Sequence, residues 1–417
     1  MKSLVLTGAF RRLLIKLHRW SGLALLVCLV IVGVTGSVLA FGPELDRWLN
    51  PHMLVVTPGP TRVPMDEVIA KVEAQYPGSA VSQVLLGEHP DDALAVYLDE
   101  AHMVRTPHGG GHTMSSALPF NAVFVNPFTG DILGHRSTSR IILTREHIMP
   151  LTLQVHYCLL MGGPGMWFMG AIAVVWLLTN LIGLALSWPG AWHRLRSWVP
   201  IFSVRAKAGS YKVNYDLHRV GGVVLTPLLL VLAFTSIYLN MRVLVIPLVA
   251  KVAPLSAAGP RGQGYGPADP TITPDQAMAA ASRAVPGARL DRFSRDFRNG
   301  WYTVRLQLPG DPGHYGNNLA SVDFMTGEVK ALRLAANDTA GDRFLNWQLP
   351  LHAGRFWGIL GQILVAFAGV VLVMLNGTGF YVWWRKWSPR RRTAGAAAAT
   401  AALRPDPAKE TGAAARA

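Results

Sequence analysis

The sequence predicts an α-helical membrane protein, a four-span bundle made of two parallel repeats, each carrying an α+β module on the outer side. Three observations predict it. Four long stretches contain no Asp, Glu, Lys or Arg; the basic residues gather on one side of those stretches; and the first half of the chain is written again in the second. Of the 417 residues, 51% are hydrophobic and 15% charged, a balance too apolar for an ordinary soluble domain.

Residues 1–19 are read as a cytoplasmic N-terminus, with Lys2, Arg11, Arg12, Lys16 and Arg19 and no acid. The first span is placed at 20–42, within the charge-free run Trp20–Pro43. Val38-Leu39-Ala40 resembles a signal cleavage site, but the apolar run exceeds that of a secretory signal and a matching span recurs in mid-chain, so it is kept as a helix. Residues 43–147 form the first outer module. The next charge-free run, Ile148–Trp192, is too long for one span. Residues 148–188 are therefore read as an interfacial approach and then a span from about 166, since about 20 helical residues cross the hydrocarbon core. A cytoplasmic loop at 189–217 carries Arg194, Arg196, Arg205, Lys207 and Lys212. The third span is 218–241, the second outer module 242–351 and the fourth span 352–384. The tail, 385–417, is basic, then Ala-rich, and is read as disordered. All three basic clusters fall on one side of four crossings, the positive-inside pattern, which puts both termini and the short middle loop in the cytoplasm. A net charge of +15 is thereby assigned to membrane topology and not to nucleic acid.

The repeat is specific. Leu17-His18-Arg19-Trp20-Ser21-Gly22 returns as Leu217-His218-Arg219-Val220-Gly221-Gly222, and Thr35 matches Thr235 in the same register. His156, Gly162, Gly165, Asn180, Gly183 and Trp188 match His352, Gly358, Gly361, Asn376, Gly379 and Trp384 without a gap. In the outer modules Asn126–Asp131 corresponds to Asp323–Glu328, each with a Thr-Gly-acidic hairpin turn. Upstream of each lies a helical pattern, Met65–Tyr76 and Thr273–Val285, the latter opened by Thr273-Pro274-Asp275 as N-cap and first-turn proline. Strand-like runs follow, such as Ala93–Leu98 and Trp301–Leu308. Pro254–Pro270 reads as a Gly/Pro-rich linker.

Ionisable residues at membrane level are costly, so they mark function. The repeated ones are histidines. Parallel repeats bring His18 opposite His218 at the cytoplasmic ends of spans one and three, and His156 opposite His352 at the outer ends of spans two and four. Two facing imidazoles supply both axial ligands of a haem iron. Gly22 and Gly222, one turn beyond His18 and His218, leave room for a flat macrocycle. Arg19, Arg219 and Arg355 suit haem propionates, because the guanidinium fork matches a carboxylate. Gly162–Gly165 offers similar room near His156. Taken singly, an interfacial histidine beside arginine is an anchor; four at equivalent positions, two per face, favour two haem b groups per chain. Asn180 and Asn376 are read as hydrogen-bond partners between helices, and the terminal tryptophans as an interfacial belt.

A second histidine group, His102, His108 and His112 with Met103 and Met114, lies in a Gly-rich loop. Imidazole with thioether suits a soft or borderline metal, and the same composition suits a plain surface loop; the two readings stay open. Cys28 and Cys158 lie at different membrane depths, which disfavours a disulfide. No Gly-rich nucleotide fingerprint, P-loop, hydrolase triad or zinc-protease signature is present, so electrons would have to come from a separate cytoplasmic donor.

Up to about residue 390 the chain resembles the PepSY-associated transmembrane family, which includes siderophore-iron reductases of Gram-negative inner membranes. The resemblance is carried by Leu17–Gly22, Leu45-Asp46-Arg47-Trp48-Leu49-Asn50-Pro51, the Thr-Gly-acidic turns at Thr129 and Thr326, the two His-led helices, and Thr378–Arg385. It implies PepSY-like periplasmic modules on four helices, and a di-haem cytochrome whose ligands fall on His18, His218, His156 and His352. The activity it implies is reduction of a periplasmic ferric chelate, a ferrisiderophore, which aids iron release. Two alternatives are set beside it. One is a siderophore- or peptide-binding or transport-accessory protein without redox activity. The other is a haem-dependent reductase of another metal or redox partner.

Overall fold

The computed structural model describes residues 8–100, 119–189, 193–256, 270–297, 299–311 and 317–402, with side chains to residue 388. The histidine-rich loop at 102–112 lies outside them. In chain order the helices are α1 (Gly8–Leu39), α2 (Gly42–Leu49), α3 (Pro51–Leu54), α4 (Met65–Gln75), α5 (Ile148–Cys158), α6 (Gly162–Ser187), α7 (Ser210–Asn240), α8 (Arg242–Ala250), α9 (Pro274–Ala284), α10 (Ala340–His352) and α11 (Gly358–Ala402). The strands are β1 (Ser79–Leu85), β2 (Leu94–Glu100), β3 (Ala122–Val125), β4 (Ile132–Arg136), β5 (Arg289–Asp296), β6 (Trp301–Gln307), β7 (Asn318–Asp323) and β8 (Val329–Arg333). The chain divides into two compact units. One gathers Met1–Val30, Leu178–Pro227 and Val371–Ala417; the other holds Ile31–Leu177 and Leu228–Val370.

Among the described residues four helices are long and apolar enough to cross a membrane: Gly8–Leu39, Gly162–Ser187, Ser210–Asn240 and Arg355–Ser388. They fall where the charge-free runs place them, because a helix rises 1.5 Å per residue and the hydrocarbon core fixes the apolar length. In the larger unit α1 and α11 meet over small residues. A Cβ at Gly369 would collide with the Gly33 carbonyl oxygen and Ser37 Oγ, and Ser37 Oγ donates to Ala366 O at 2.8 Å. Glycine here is what lets two backbones approach.

The segments between the apolar helices, read from the sequence as two separate outer modules, are joined in the structure. All eight strands of the described residues form one sheet, in the order β4-β3-β2-β1-β5-β6-β7-β8. The join is an antiparallel pairing of β1 with β5 through Gln83↔Ser294, Val84↔Phe293 and Leu85↔Arg292. Each hairpin is local and readable, but a β1–β5 ladder between strands two hundred residues apart leaves no local trace. One face of this sheet packs under α4 and α9, with Val72, Val84, Val96, Phe293, Val304 and Ala281 fully buried. Each large apolar side chain so buried contributes about 1.5–3 kcal/mol. The two helices start head to head. Asp66 N–H donates to Asp275 Oδ2 at 3.0 Å, and Asp275 N–H to Asp66 Oδ1 at 3.1 Å, so each carboxylate satisfies a first-turn donor of the other helix.

The capping expected at Thr273 is present as a capping box with Gln276, and Thr339 forms a second with Asp342 at the start of α10. Both Thr-Gly-acidic turns put glycine at positive φ, Gly130 at 70° and Gly327 at 73°, a conformation that a Cβ disfavours. The C-terminal helix runs on to Ala402, where the sequence reading begins a disordered tail at residue 385; alanine and arginine are strong helix formers and simply extend α11.

Candidate functional site

The four repeated histidines form two pairs, each inside one unit. In the smaller unit His18 on α1 faces His218 on α7, ring centroids 6.1 Å apart and planes at 73°. In the larger unit His156 faces His352, also at 6.1 Å, with planes at 58°. The sequence reading puts His156 and His352 at the outer ends of spans two and four. They sit instead on the separate short helices α5 and α10 that precede those spans. The break after α5 is sharp. Leu159 and Leu160 both adopt positive φ, 49° and 63°, and a Cβ on Gly165 would collide with the Cys158 carbonyl oxygen. Gly165 therefore serves to close the chain turn, while open space surrounds Gly162 and Gly163.

Each ring is held by its Nδ1. His18 Nδ1 lies 3.1 Å from Thr179 O, and His218 Nδ1 lies 2.9 Å from Leu375 O. A carbonyl oxygen only accepts, so both Nδ1 atoms carry the proton. His156 Nδ1 is 3.0 Å from Thr35 Oγ1, and His352 Nδ1 is 2.9 Å from Thr235 Oγ1. Those hydroxyl protons are already committed, Thr35 to Ile31 O at 2.7 Å and Thr235 to Val231 O at 2.8 Å. The oxygens therefore accept, and the same tautomer follows in all four rings. Nε2 is left in each with its lone pair.

Glycines set the rings in place. A Cβ on Gly183 would stand 2.9 Å from His18 Cε1, one on Gly379 3.0 Å from His218 Cε1, and one on Gly36 3.0 Å from His156 Cε1. Gly22 has nothing near its missing Cβ, and Gly222 only Leu375 Cδ2 at 4.0 Å, so both keep the open space that the sequence reading assigns them. Arg19 and Arg219 each have a buried Nε without a hydrogen-bond partner. Arg219 is also tied down, donating to Ser203 O at 3.1 Å and to Asp216 Oδ1 at 3.0 Å. Asp216 is fully buried and forks to Arg205 through Nε and a terminal nitrogen, both at 2.8 Å. Less of the Arg219 fork is thus available to an added carboxylate than the sequence suggests. Arg355 is half-buried just after α10.

The pairs fit an axial clamp. Two imidazole nitrogens on opposite sides of one metal at ~2.0 Å, each ~1.1 Å from its ring centre, put the centroids ~6.2 Å apart. Metal-binding histidines donate their other ring N–H to a protein acceptor, which fixes tautomer and orientation, as all four do here. Among the described residues no group of three or more His, Cys, Asp or Glu is arranged to hold a metal ion. Two imidazoles alone match a metal whose remaining positions are filled by its own macrocycle.

Sequence reasoning missed Thr35, Thr235, Gly36, Gly183, Gly379 and the carbonyls of Thr179 and Leu375. Thr35/Thr235 and Gly183/Gly379 are repeat-matched pairs, so the signal was present without its meaning. Asn376 departs from expectation: its amide donates to Leu372 O at 2.8 Å on its own helix, while Asn180 Nδ2 is buried without a hydrogen-bond partner. Cys28 and Cys158 are both free.

Compared with known proteins, the chain matches the family model described as PepSY-associated TM region over residues 15–386. No curated protein matches it.

Proposed function

We propose that the chain, which belongs to the PepSY-associated TM family, is a transmembrane electron-transfer protein of the bacterial inner membrane. In this reading it holds two haem b groups, takes electrons from a cytoplasmic donor and reduces a periplasmic ferric chelate of the ferrisiderophore class. Its two halves are parallel repeats, the termini are cytoplasmic and the eight-stranded sheet is periplasmic. The three basic clusters on one side of four spans support that orientation.

The observation that carries the reading is the pair of histidine clamps, both at 6.1 Å, with every Nδ1 bonded away. When bound, haem supplies a one-electron iron couple. His18 with His218 would hold one haem iron, and His156 with His352 the other. Thr179 O, Leu375 O, Thr35 and Thr235 hold the rings in the ligating tautomer. The buried Nε atoms of Arg19 and Arg219 suit propionate oxygens. No acid–base residue is required for electron transfer to an external chelate. Reduction loosens the substrate because Fe(II) is less charged and softer than Fe(III), and hard oxygen ligands hold it less tightly.

The test is a visible spectrum of the purified protein. A six-coordinate low-spin haem spectrum is expected, and His18→Ala and His352→Ala should each lose one of two haems. Full haem content in both variants would refute the ligand assignment. For the substrate, reduced protein should be reoxidised by ferric siderophores; inertness toward every ferric chelate would refute that part.

A further inference from the structure

One face of the sheet carries a row of arginines that the fold does not require. On the face away from α4 and α9, strand pairing sets Leu85 beside Arg292, Arg292 beside Arg305, Arg305 beside Leu319 and Leu319 beside Arg333. The same row continues into the first repeat as Ala95 and Phe124, which are apolar and pack with Met53 of α3. The repeat supplies the comparison. Where one half has Arg292 opposite Arg305, the other has Gln83 opposite Tyr97, so the same ladder closes without charge. Directly opposite residues have Cβ atoms about 4.5–5.5 Å apart, and like charges at that spacing are unfavourable. We infer that this row is a binding site for an anionic chelate: Arg292 and Arg305 hold carboxylate oxygens of a ferric complex of net negative charge, of the polycarboxylate class. The inference rests on the ferric-chelate reading above and adds the charge and ligand class of that chelate.

Arg292 Nε is buried and has no hydrogen-bond partner, a donor that a carboxylate oxygen would satisfy. Other arginines of the same strand are tied to the protein. Arg295 bonds Val81 O and Glu73, and Arg289 bonds Gly87 O and Gln307. The nearby acids are paired to the side of the row. Asp291 lies 3.6 Å from Arg289, and Arg333 meets Asp338 at 2.9 Å and Asp342 at 3.8 Å. Asp291 Oδ2 is itself buried without a hydrogen-bond partner and opposes an incoming anion. The cations outweigh it. Loss of surrounding water and the Arg292 charge push the Arg305 guanidinium below its usual value; Asp291 resists, and Arg333 adds to the fall. A planar carboxylate suits such a pair because each guanidinium presents a fork of donors.

Arg333 also fixes where the row lies. Its partner Asp342 stands in the first turn of α10, and His352 ends that helix. Ten residues of helix span about 15 Å. An anion on the row is therefore held in the same compact unit as the His156–His352 pair.

The experiment is isothermal titration of the full-length protein in detergent with gallium citrate. Ga(III) has the charge and nearly the size of Fe(III) and is not reduced, so binding is read apart from electron transfer. The unmodified protein should bind it. Arg292→Gln and Arg305→Gln should each weaken binding about tenfold or more, as expected for loss of a charged hydrogen-bonding partner. Arg292→Lys, which keeps the charge without the fork, should recover part of the affinity. The melting temperature of Arg292→Gln should not fall, which separates a lost contact from a lost fold. Gallium desferrioxamine, a cationic trihydroxamate complex, and inorganic phosphate should both bind far more weakly. No binding of gallium citrate, unchanged affinity in both glutamine variants, or equal binding of the cationic complex would overturn the proposal. Phosphate bound as tightly as gallium citrate would also overturn it, in favour of a phosphate or lipid-headgroup site. Absence of haem from the unmodified protein would instead refute the redox reading and leave this binding result as it stands.

Discussion

Replacing Gly183 by alanine tests how tightly the His18 ring is held. The added Cβ would stand 2.9 Å from His18 Cε1, whereas ordinary carbon–carbon contact begins near ~3.4 Å. The ring must give by about 0.5 Å. It is not free to do so, since its Nδ1 is fixed at 3.1 Å to Thr179 O, and a shift of that size takes the bond past the range of a real hydrogen bond. A buried donor left without its acceptor costs about 1–3 kcal/mol, roughly 5- to 150-fold in affinity for whatever the ring ligates. The opposite sign is equally definite. Away from a constraint, Gly→Ala inside a helix stabilises by about 1 kcal/mol. Haem-to-protein ratio and melting temperature of Gly183→Ala, with Gly36→Ala as its counterpart against His156, separate the two outcomes. Each variant should weaken retention of one haem and leave the other. Full haem in Gly183→Ala together with a higher melting temperature would show that the ring has slack, and the reasoning from the glycine contact would fail.

Asp342 should govern acid stability of the helix that carries His352. Burial alone would raise its pKa, but hydrogen bonds from Ser256 and Thr339, and nearby Arg333, outweigh it and hold the carboxyl at about 2. A depressed carboxyl stabilises the fold fully above the ordinary carboxylate range, and loses that contribution as pH falls through about 2. Asp342→Asn should therefore lower stability at pH 7 by about 1–2 kcal/mol, with the gap to the unmodified protein closing toward pH 2 in thermal unfolding; a gap that widens in acid would contradict it. Arg292 and Arg305 face each other directly across β5 and β6, where the corresponding place beside Val84↔Val96 holds Gln83 and Tyr97. Like charges there are unfavourable, and Arg292 Nε is buried without a hydrogen-bond partner. Arg292→Gln should raise stability by about 0.2–1 kcal/mol, read as a higher melting temperature, and a lower one would count against this account of the pair.

The spans were legible because hydropathy and charge act locally. A run without charge and long enough to cross, such as Val220–Met241, announces itself whatever its neighbours do. The Thr273 cap and the two Thr-Gly-acidic turns were legible for the same reason, since their hydrogen bonds close within a few residues. The pairing of His18 with His218 was reached indirectly, through the repeat. What the repeat did not reveal is that His156 and His352 sit on short helices broken from their spans, by positive φ at Leu159 and Leu160 after the first and at Gly354 and Gly358 after the second. Neither leucine signals a turn by its type.

Sequence alone located four apolar runs long enough to cross a membrane, the side of those runs on which basic residues gather and which histidines correspond, because those properties add up residue by residue. Only the tertiary structure decided that the eight strands of the described residues form one sheet and that three of the four rings rest against a glycine of another helix. Those facts depend on contacts between segments far apart in the chain, where closure and packing, and not local preference, select the partner.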